Sequence, residues 1–275
     1  MDPALWEMLD GDGEDEVEAF IRLHDGAHVP AGVRLVARFG ETIATCRLRR
    51  RAIEETRADE GCASLKAARL LAPDALSPRD PAQHASWAEE AARRPPSVSA
   101  TGRGVIVGIV DFGADFAHPN FRHEDGSTRL LALWDQRRPR RGADNRYGYG
   151  TIYTADDINA ALATDDPYGA LNDYHPADGD LDGKGAHGTH VMDIAAGNGR
   201  AGGPVGVAPE ADLVFVHLAT RGTGGRANLG DAITFAEAIN FIAETAGDRP
   251  CVINCSVGRH GGPHDGTTLV ELALD

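Results

Sequence analysis

A chain of 275 residues has room for one large domain or a domain with a small companion, and 42% hydrophobic residues suffice for a real core. Against 42 Asp and Glu stand 27 Lys and Arg, a formal charge of −15 that phosphate backbones repel, which argues against nucleic acid as a partner. No apolar run reaches the length of a membrane span, and the acidic stretch Met1 to Asp15 lacks the basic-then-apolar order of a secretion signal, so a cytoplasmic protein is expected.

Residues 1–72 read as a small α+β domain. Val17, Ala19, Ile21 and Leu23 alternate, as do Val33, Leu35, Ala37 and Phe39, and a third run spans Ile43 to Leu48. Turn residues separate these three predicted strands. Arg49 to Ala58 reads as a basic helix and Ala63 to Leu71 as a last strand or helix. Residues 73–102 form a linker, where Pro78, Pro81, Pro95 and Pro96 break regular structure around one short helix, Ala85 to Arg93. Cys251 and Cys255 stand on one strand face about 13 Å apart, too far for a disulfide. With Cys46 and Cys62 they read as buried free thiols.

From residue 103 the pattern changes to alternating strands and helices. Val105–Val110, Leu213–His217 and Cys251–Ser256 read as strands. Thr154–Leu162, Ala186–Ala196, the amphipathic Asp231–Thr245 and Thr267–Leu274 read as helices. Such alternation predicts an α/β fold, a parallel sheet with helices on both faces, for residues 103–275. The stretch between Asp111 and His187 is expected to be an elaborated surface loop region holding one helix. It carries Trp134-Asp-Gln136, the cluster Arg137, Arg138, Arg140 and Arg141, and Tyr147-Gly-Tyr149-Gly. Trp134 reads as a core residue. The arginines read as a dock for an acidic partner or as a solvated patch.

The chemistry gathers at two points. The apolar strand Val105-Ile-Val-Gly-Ile-Val ends abruptly on Asp111, and a glycine-flanked turn puts His187 at the mouth of a small, apolar helix. A carboxylate placed against an imidazole fixes its tautomer and stabilises its charged form, so that the ring takes a proton from a serine. The order Asp, then His, then a distant Ser is that of the subtilisin type.

The motifs extend this. Ile109-Val-Asp111-Phe-Gly-Ala-Asp115-Phe-Ala-His118-Pro119 resembles the Asp motif of subtilisin-like serine peptidases, and His187-Gly-Thr-His190-Val191 their His motif. Gly206-Val-Ala-Pro209-Glu-Ala-Asp212-Leu-Val resembles the loop and strand that follow, and Val252-Ile-Asn254-Cys-Ser256-Val-Gly258 the strand that pairs with substrate. Four motifs in the family's order cover about Gly102 to Asp275. The resemblance implies a peptidase fold incomplete at its C-terminus, with Asp111 as orienting carboxylate and His187 as general base. It also implies Ser256, Val257 and Gly258 as a cleft edge that takes a peptide or protein substrate by strand addition. His190 is expected to pack under the helix, and Asp115 and His118 to be turn residues. Residues 17–71 resemble the family's pro-domain weakly, since no helix fits between Leu23 and Val33. A fixed N-terminal domain is the alternative.

Two departures stand out. Met192-Asp193 replaces the usual Ala-Gly and bears on helix packing. The family's Gly-Thr-Ser nucleophile segment is missing: the serines are Ser64, Ser77, Ser86, Ser97, Ser99, Ser127 and Ser256, and none has that context. Gly266-Thr267-Thr268-Leu269 reads as a helix cap instead, and Asn198 is not the oxyanion asparagine. Loss of the nucleophile removes about six orders of magnitude of rate in this enzyme class. The chain alone is therefore expected to be inert, and a complementary segment or chain carrying the serine is the expected partner. A catalytically dead module that binds peptides is the alternative.

No metal or cofactor is expected. Asp178, Asp180, Asp182 and Gly183 match the start of a calcium loop, but Thr189 stands where a Glu is needed, so a solvated acidic loop is the better reading and calcium the alternative. His187 and His190 lack the adjacent Glu of a zinc peptidase motif. His260 and His264, in a glycine-rich loop, read as solvated or cleft-lining.

Overall fold

Among the described residues nine strands in two sheets, with their helices, fall into two layered units that meet on one long helix. The structure, a computed structural model, describes residues 3–68, 72–73, 97–141, 145–176, 178, 186–218, 231–258 and 265–275. The linker helix at 85–93, Asp180, Asp182, Gly183, His260 and His264 lie outside the described residues.

The N-terminal unit opens with helix α1 (Pro3–Glu7). Strands β1 (Glu16–Leu23), β2 (Arg34–Phe39), β3 (Ile43–Arg49) and β4 (Cys62–Ala67) form an antiparallel sheet of order β2-β3-β1-β4. The Arg49–Ala58 segment splits into a 3-10 turn and a short helix α2 (Ile53–Ala58). The alternation of β1 sends Val17, Ala19, Ile21 and Leu23 into one core with Ala44, Cys46, Leu48 and Ile53. All four cysteines are free thiols; Cys46 and Cys62 are buried, Cys251 and Cys255 half-buried.

The second unit is built on β6 (Ile106–Asp111), β7 (Leu130–Asp135), β8 (Thr151–Thr154), β9 (Asp212–His217) and β10 (Cys251–Cys255). Their order is β10-β6-β9-β7-β8, parallel except for the antiparallel edge strand β8. The sheet is thus mixed. The stretch between Asp111 and His187, expected as a surface loop region with one helix, is corrected: it contributes β7 and β8 as well as helices α3 (Ala155–Leu162) and α4 (Pro167–Ala170). Leu130-Leu-Ala-Leu-Trp134 is the continuous apolar run that a strand buried on both faces requires. Trp134 is fully buried, as expected.

Burial on both faces follows from the helices. Val107, Ile109, Leu213 and Phe215 point toward α3 and α5 (His187–Ala196), meeting Ile158, Met192 and Ala196. Ile106, Val110, Val214 and Val216 point toward α6 (Ala232–Ala246), meeting Ala238, Phe241 and Ile242. Gly108 faces α6 too, and a Cβ there would lie 2.4 Å from Ile242 Cγ2, so only glycine lets helix and sheet approach this closely. Thr154 caps α3 and Asp231 caps α6, each through a reciprocal capping box. Thr268 caps α7 (Leu269–Leu274) in the same way, as the sequence predicts.

Helix α6 reads as amphipathic but is buried on two sides. Its second face carries the N-terminal sheet, where Phe20 and Ile43 pack on Ala232, Ile233 and Ala236. Across this contact Arg47 of β3, 6% exposed, makes a bidentate pair with the fully buried Glu237, both bonds 3.0 Å. Tyr149 donates its hydroxyl to the same carboxylate at 2.9 Å.

Candidate functional site

The C-terminal ends of three adjacent parallel strands carry Asp111, His217 and Asp135, with His217 in register between the other two. In open α/β sheets this edge is where ligands gather. Asp111 is fully buried at the end of β6. Its Oδ1 accepts the Phe112 backbone N–H at 2.7 Å and lies 2.7 Å from His187 Nδ1. A carboxylate cannot donate there, so Nδ1 carries the proton. Among the described residues Oδ2 has no hydrogen-bond partner. A buried carboxylate so thinly solvated gains most from a positive charge on the ring it faces.

His187 is the first residue of α5, and the turn after Asp111 holds that helix start. Phe112 O accepts Gly188 N–H at 2.6 Å, and Gly113 O accepts Thr189 N–H at 3.0 Å and Thr189 Oγ1–H at 2.9 Å. The orphan donors of the helix thus find carbonyls in the Asp turn. Gly188 is required by this approach, since a Cβ would stand 2.6 Å from both Phe112 O and Phe215 Cζ. The Phe112 ring stacks on the imidazole at 5.0 Å between centroids and 8° between planes. Two elements distant in sequence therefore meet as the motifs anticipate.

His190 departs from expectation. It is exposed, because the buried face of α5 runs through Gly188, Met192 and Ala196, and position 190 lies on the other side. Met192 is a core residue, and Asp193 Oδ1 accepts from Asn120 Nδ2 at 2.6 Å, so the departure at these two positions is absorbed by packing. Asp115 and His118 are turn residues: Asp115 Oδ1 accepts Ala117 N–H at 3.1 Å and His118 Nδ1 accepts Asn120 N–H at 3.2 Å. Asp115 also accepts the Tyr168 hydroxyl at 2.5 Å, which the sequence did not reveal. Asn198 has a local role, its Nδ2 donating to Arg122 O at 2.7 Å. Of the arginine cluster, the half-buried Arg137 and Arg138 each pair with Asp135 and Asp173, which balances charge locally, while Arg140 and Arg141 are exposed.

Ser256 joins β10 to the two-residue strand β11 (Val257–Gly258), and Asn254 Nδ2 donates to its Oγ at 2.8 Å. Strand β11 pairs antiparallel with β5 (Ala72–Pro73), Val257 opposite Pro73 and Gly258 opposite Ala72. The edge expected to take a peptide already takes one from this chain. Cys255 precedes it, and burial, with the nearby Asp111 carboxylate adding, pushes its thiol up to about 11, so it stays protonated and unreactive at neutral pH.

His217 and Asp135 complete the edge, and the sequence motifs did not single them out. Each is a polar residue closing an apolar strand, the same signal that Asp111 gives. His217 is buried, and that burial, reinforced by the Arg137 charge, pushes its imidazole down to about 4. Burial alone would raise the Asp135 carboxyl; the Arg137 hydrogen bonds and the nearby charges hold it below its ordinary value. Among the described residues no group of three or more metal-ligating side chains converges, and no helix is long and apolar enough to cross a membrane.

A helix-flanked sheet whose C-terminal edge locks an imidazole onto a buried carboxylate defines an α/β fold that holds one histidine in one orientation. The family model described as the subtilase family matches residues 102–273, and the chain belongs to that family. It is 28% identical over 170 residues to the major intracellular serine protease of Bacillus subtilis, covering 62% of this chain and 38% of that protein. It is 31% identical over 172 residues to the PII-type proteinase of Lacticaseibacillus paracasei, covering 58% of this chain and 8% of that one. The chain therefore spans well under half the length of these relatives. The solved CspB protease of Clostridium perfringens matches at 26% identity with a TM-score of 0.49, over 65% of this chain and 34% of that one.

Proposed function

We propose that this chain supplies the Asp–His half of a subtilisin-like serine endopeptidase site, with the nucleophilic serine carried by a further segment or a separate chain. The 2.7 Å contact between Asp111 Oδ1 and His187 Nδ1 carries this reading. With Nδ1–H committed to the carboxylate, the lone pair of the neutral ring lies on Nε2, the nitrogen that takes a serine proton in this chemistry. The buried charge of Asp111 then stabilises the imidazolium, and the stacked Phe112 ring keeps it aimed. Peptide substrate lies along Ser256–Gly258 as an added strand. A fluorophosphonate probe tests the reading. It should label the protein complemented with a serine-bearing subtilase segment and leave the isolated chain unlabelled. Labelling of the isolated chain, or none after complementation, would refute it.

The N-terminal unit acts on this reading as an occupant of its own cleft, supported by the antiparallel pairing of Ala72–Pro73 with Val257–Gly258. Limited proteolysis between residues 74 and 96 should then tighten the binding of a fluorescein-labelled extended peptide, read by anisotropy. Unchanged binding after the cut would point to a fixed domain outside the cleft. Binding of the peptide without hydrolysis in the complemented protein would mark a peptide-binding module.

A further inference from the structure

We propose that His217 is a positioning residue for the Asp111–His187 pair, acting through the turn that joins them; the proposal rests on the reading of that pair as catalytic. The argument starts from a bond whose direction is unambiguous. Gly113 N–H points at His217 Nε2 from 2.9 Å. A backbone amide only donates, so Nε2 is bare and accepts. The ring proton therefore sits on Nδ1, 3.2 Å from Leu218 O. One tautomer of one buried histidine is fixed by two backbone groups.

Those groups belong to the site. Gly113 has φ +71°, a left-handed turn that takes its N–H out of the strand ladder and toward β9. Its carbonyl, and that of Phe112, hold the first turn of α5, where His187 sits. Its neighbour Phe112 supplies both an N–H to Asp111 and the ring that stacks on His187. On the other side Leu218 N–H donates to Asp111 O at 2.9 Å. His217 thus grips the segment Asp111–Gly113 from the next strand, and the Asp111 hydrogen bond, the Phe112 stack and the carbonyls that hold the first turn of α5 all come from that segment. Without an acceptor the buried Gly113 N–H would be stranded, and the turn would shift to solvate it. The charged groups that face the ring, Arg137, Asp135 and Asp173, are paired among themselves, which leaves the imidazole to serve as a neutral acceptor.

The test uses the full chain labelled with 15N-histidine. Two-bond nitrogen–proton correlations should show His217 as the Nδ1–H tautomer, and His187 should show a downfield Nδ1–H resonance from its bond to Asp111. His217→Leu should lose that His187 resonance. His217→Gln, whose Oε1 can take the Gly113 N–H, should keep it. In a complemented, active enzyme the Leu variant should lose ~100-fold in kcat with KM little changed, the scale set by misplacing a reacting group by an ångström, and the Gln variant should recover most of it. An Nε2–H tautomer at His217, an unchanged His187 resonance in the Leu variant, or its loss in a folded Gln variant would each overturn the proposal. The tautomer and the Gln variant decide the matter even where the Leu variant fails to fold. The expected spectra without fluorophosphonate labelling after complementation would uphold the positioning of the pair while refuting the peptidase reading.

Discussion

On the proposed peptidase reading Asp111 acts by placing a carboxylate where water is excluded. Its side chain is fully buried and one oxygen serves both Phe112 N–H and His187. Replacing it by Asn keeps the shape, removes the charge and offers an amide that favours the wrong imidazole tautomer. In a complemented enzyme Asp111→Asn should therefore cut kcat by about 10⁴-fold, measured as the rate of fluorophosphonate labelling or peptide cleavage. His217 gives a second prediction. Its folded pKa is lowered to about 4 from 6.5, so between those values the unfolded chain binds the extra proton. Stability from this group is complete above about pH 6.5 and is lost as pH falls toward about 4, by ~3 kcal/mol. Urea denaturation of the unsubstituted protein and of His217→Gln should show a steeper pH dependence for the former across that window, and equal slopes would refute the assignment. Asp111 and His187 were legible because each interrupts a strong local pattern, an apolar strand and a small-residue helix. His217 interrupts one as well, but its partner Gly113 lies 104 positions away and only the pairing of β6 with β9 reveals it.

Elements were legible where one period dominates and hidden where burial is supplied from two sides. The strand β7 lacks alternation because helices cover both its faces. Helix α6 shows an apolar stripe for the central sheet, while its other face mixes Glu237 with small residues and is covered by a second sheet from early in the chain. That second contact contains an ion pair which sequence alone cannot join, Arg47 to Glu237 across 190 positions. Removing one member strands the other in a dry interface, so Arg47→Met should cost ~3–5 kcal/mol, and the double change Arg47→Met with Glu237→Met much less. Urea denaturation of the four proteins in the cycle measures this; additive losses would show that the pair is not coupled. Helix α5 offers a steric counterpart. Gly188→Ala drives a methyl against Phe112 O and Phe215 Cζ, both 2.6 Å from the ideal Cβ position. Overpacking of this kind costs ~1–3 kcal/mol, and here the yielding part is the turn that aims His187. The variant should melt lower and also lose the downfield His187 resonance, whereas a stability loss with that resonance intact would place the strain elsewhere.

At the scale of the molecule the central sheet, among the described residues, is finished on one side and open on the other. Strand β8 closes one edge by running antiparallel and short. On the opposite edge β10 has a hydrogen-bonded neighbour only in β6 among the described residues. The burial of the two strands differs accordingly: β6 is buried throughout, while β10 is half-exposed and Val252 stands 63% exposed. A strand whose outer edge has no neighbour and which carries an exposed β-branched residue is a template for another strand. The proposed serine-bearing segment would have this edge to pair with, and in its absence two copies of the chain can use it. The chain alone should therefore associate as its concentration rises, despite a charge of −15 that opposes contact. Val252→Lys separates local from global causes. It moves the formal charge from −15 to −14 and so weakens overall repulsion, yet it places a desolvation cost on the edge itself. Sedimentation velocity should show a larger monomer fraction for Val252→Lys at equal concentration, with an unchanged far-UV spectrum. Association identical to that of the parent chain would mean that copies meet elsewhere and that the open edge of β10 is not the surface that seeks a partner.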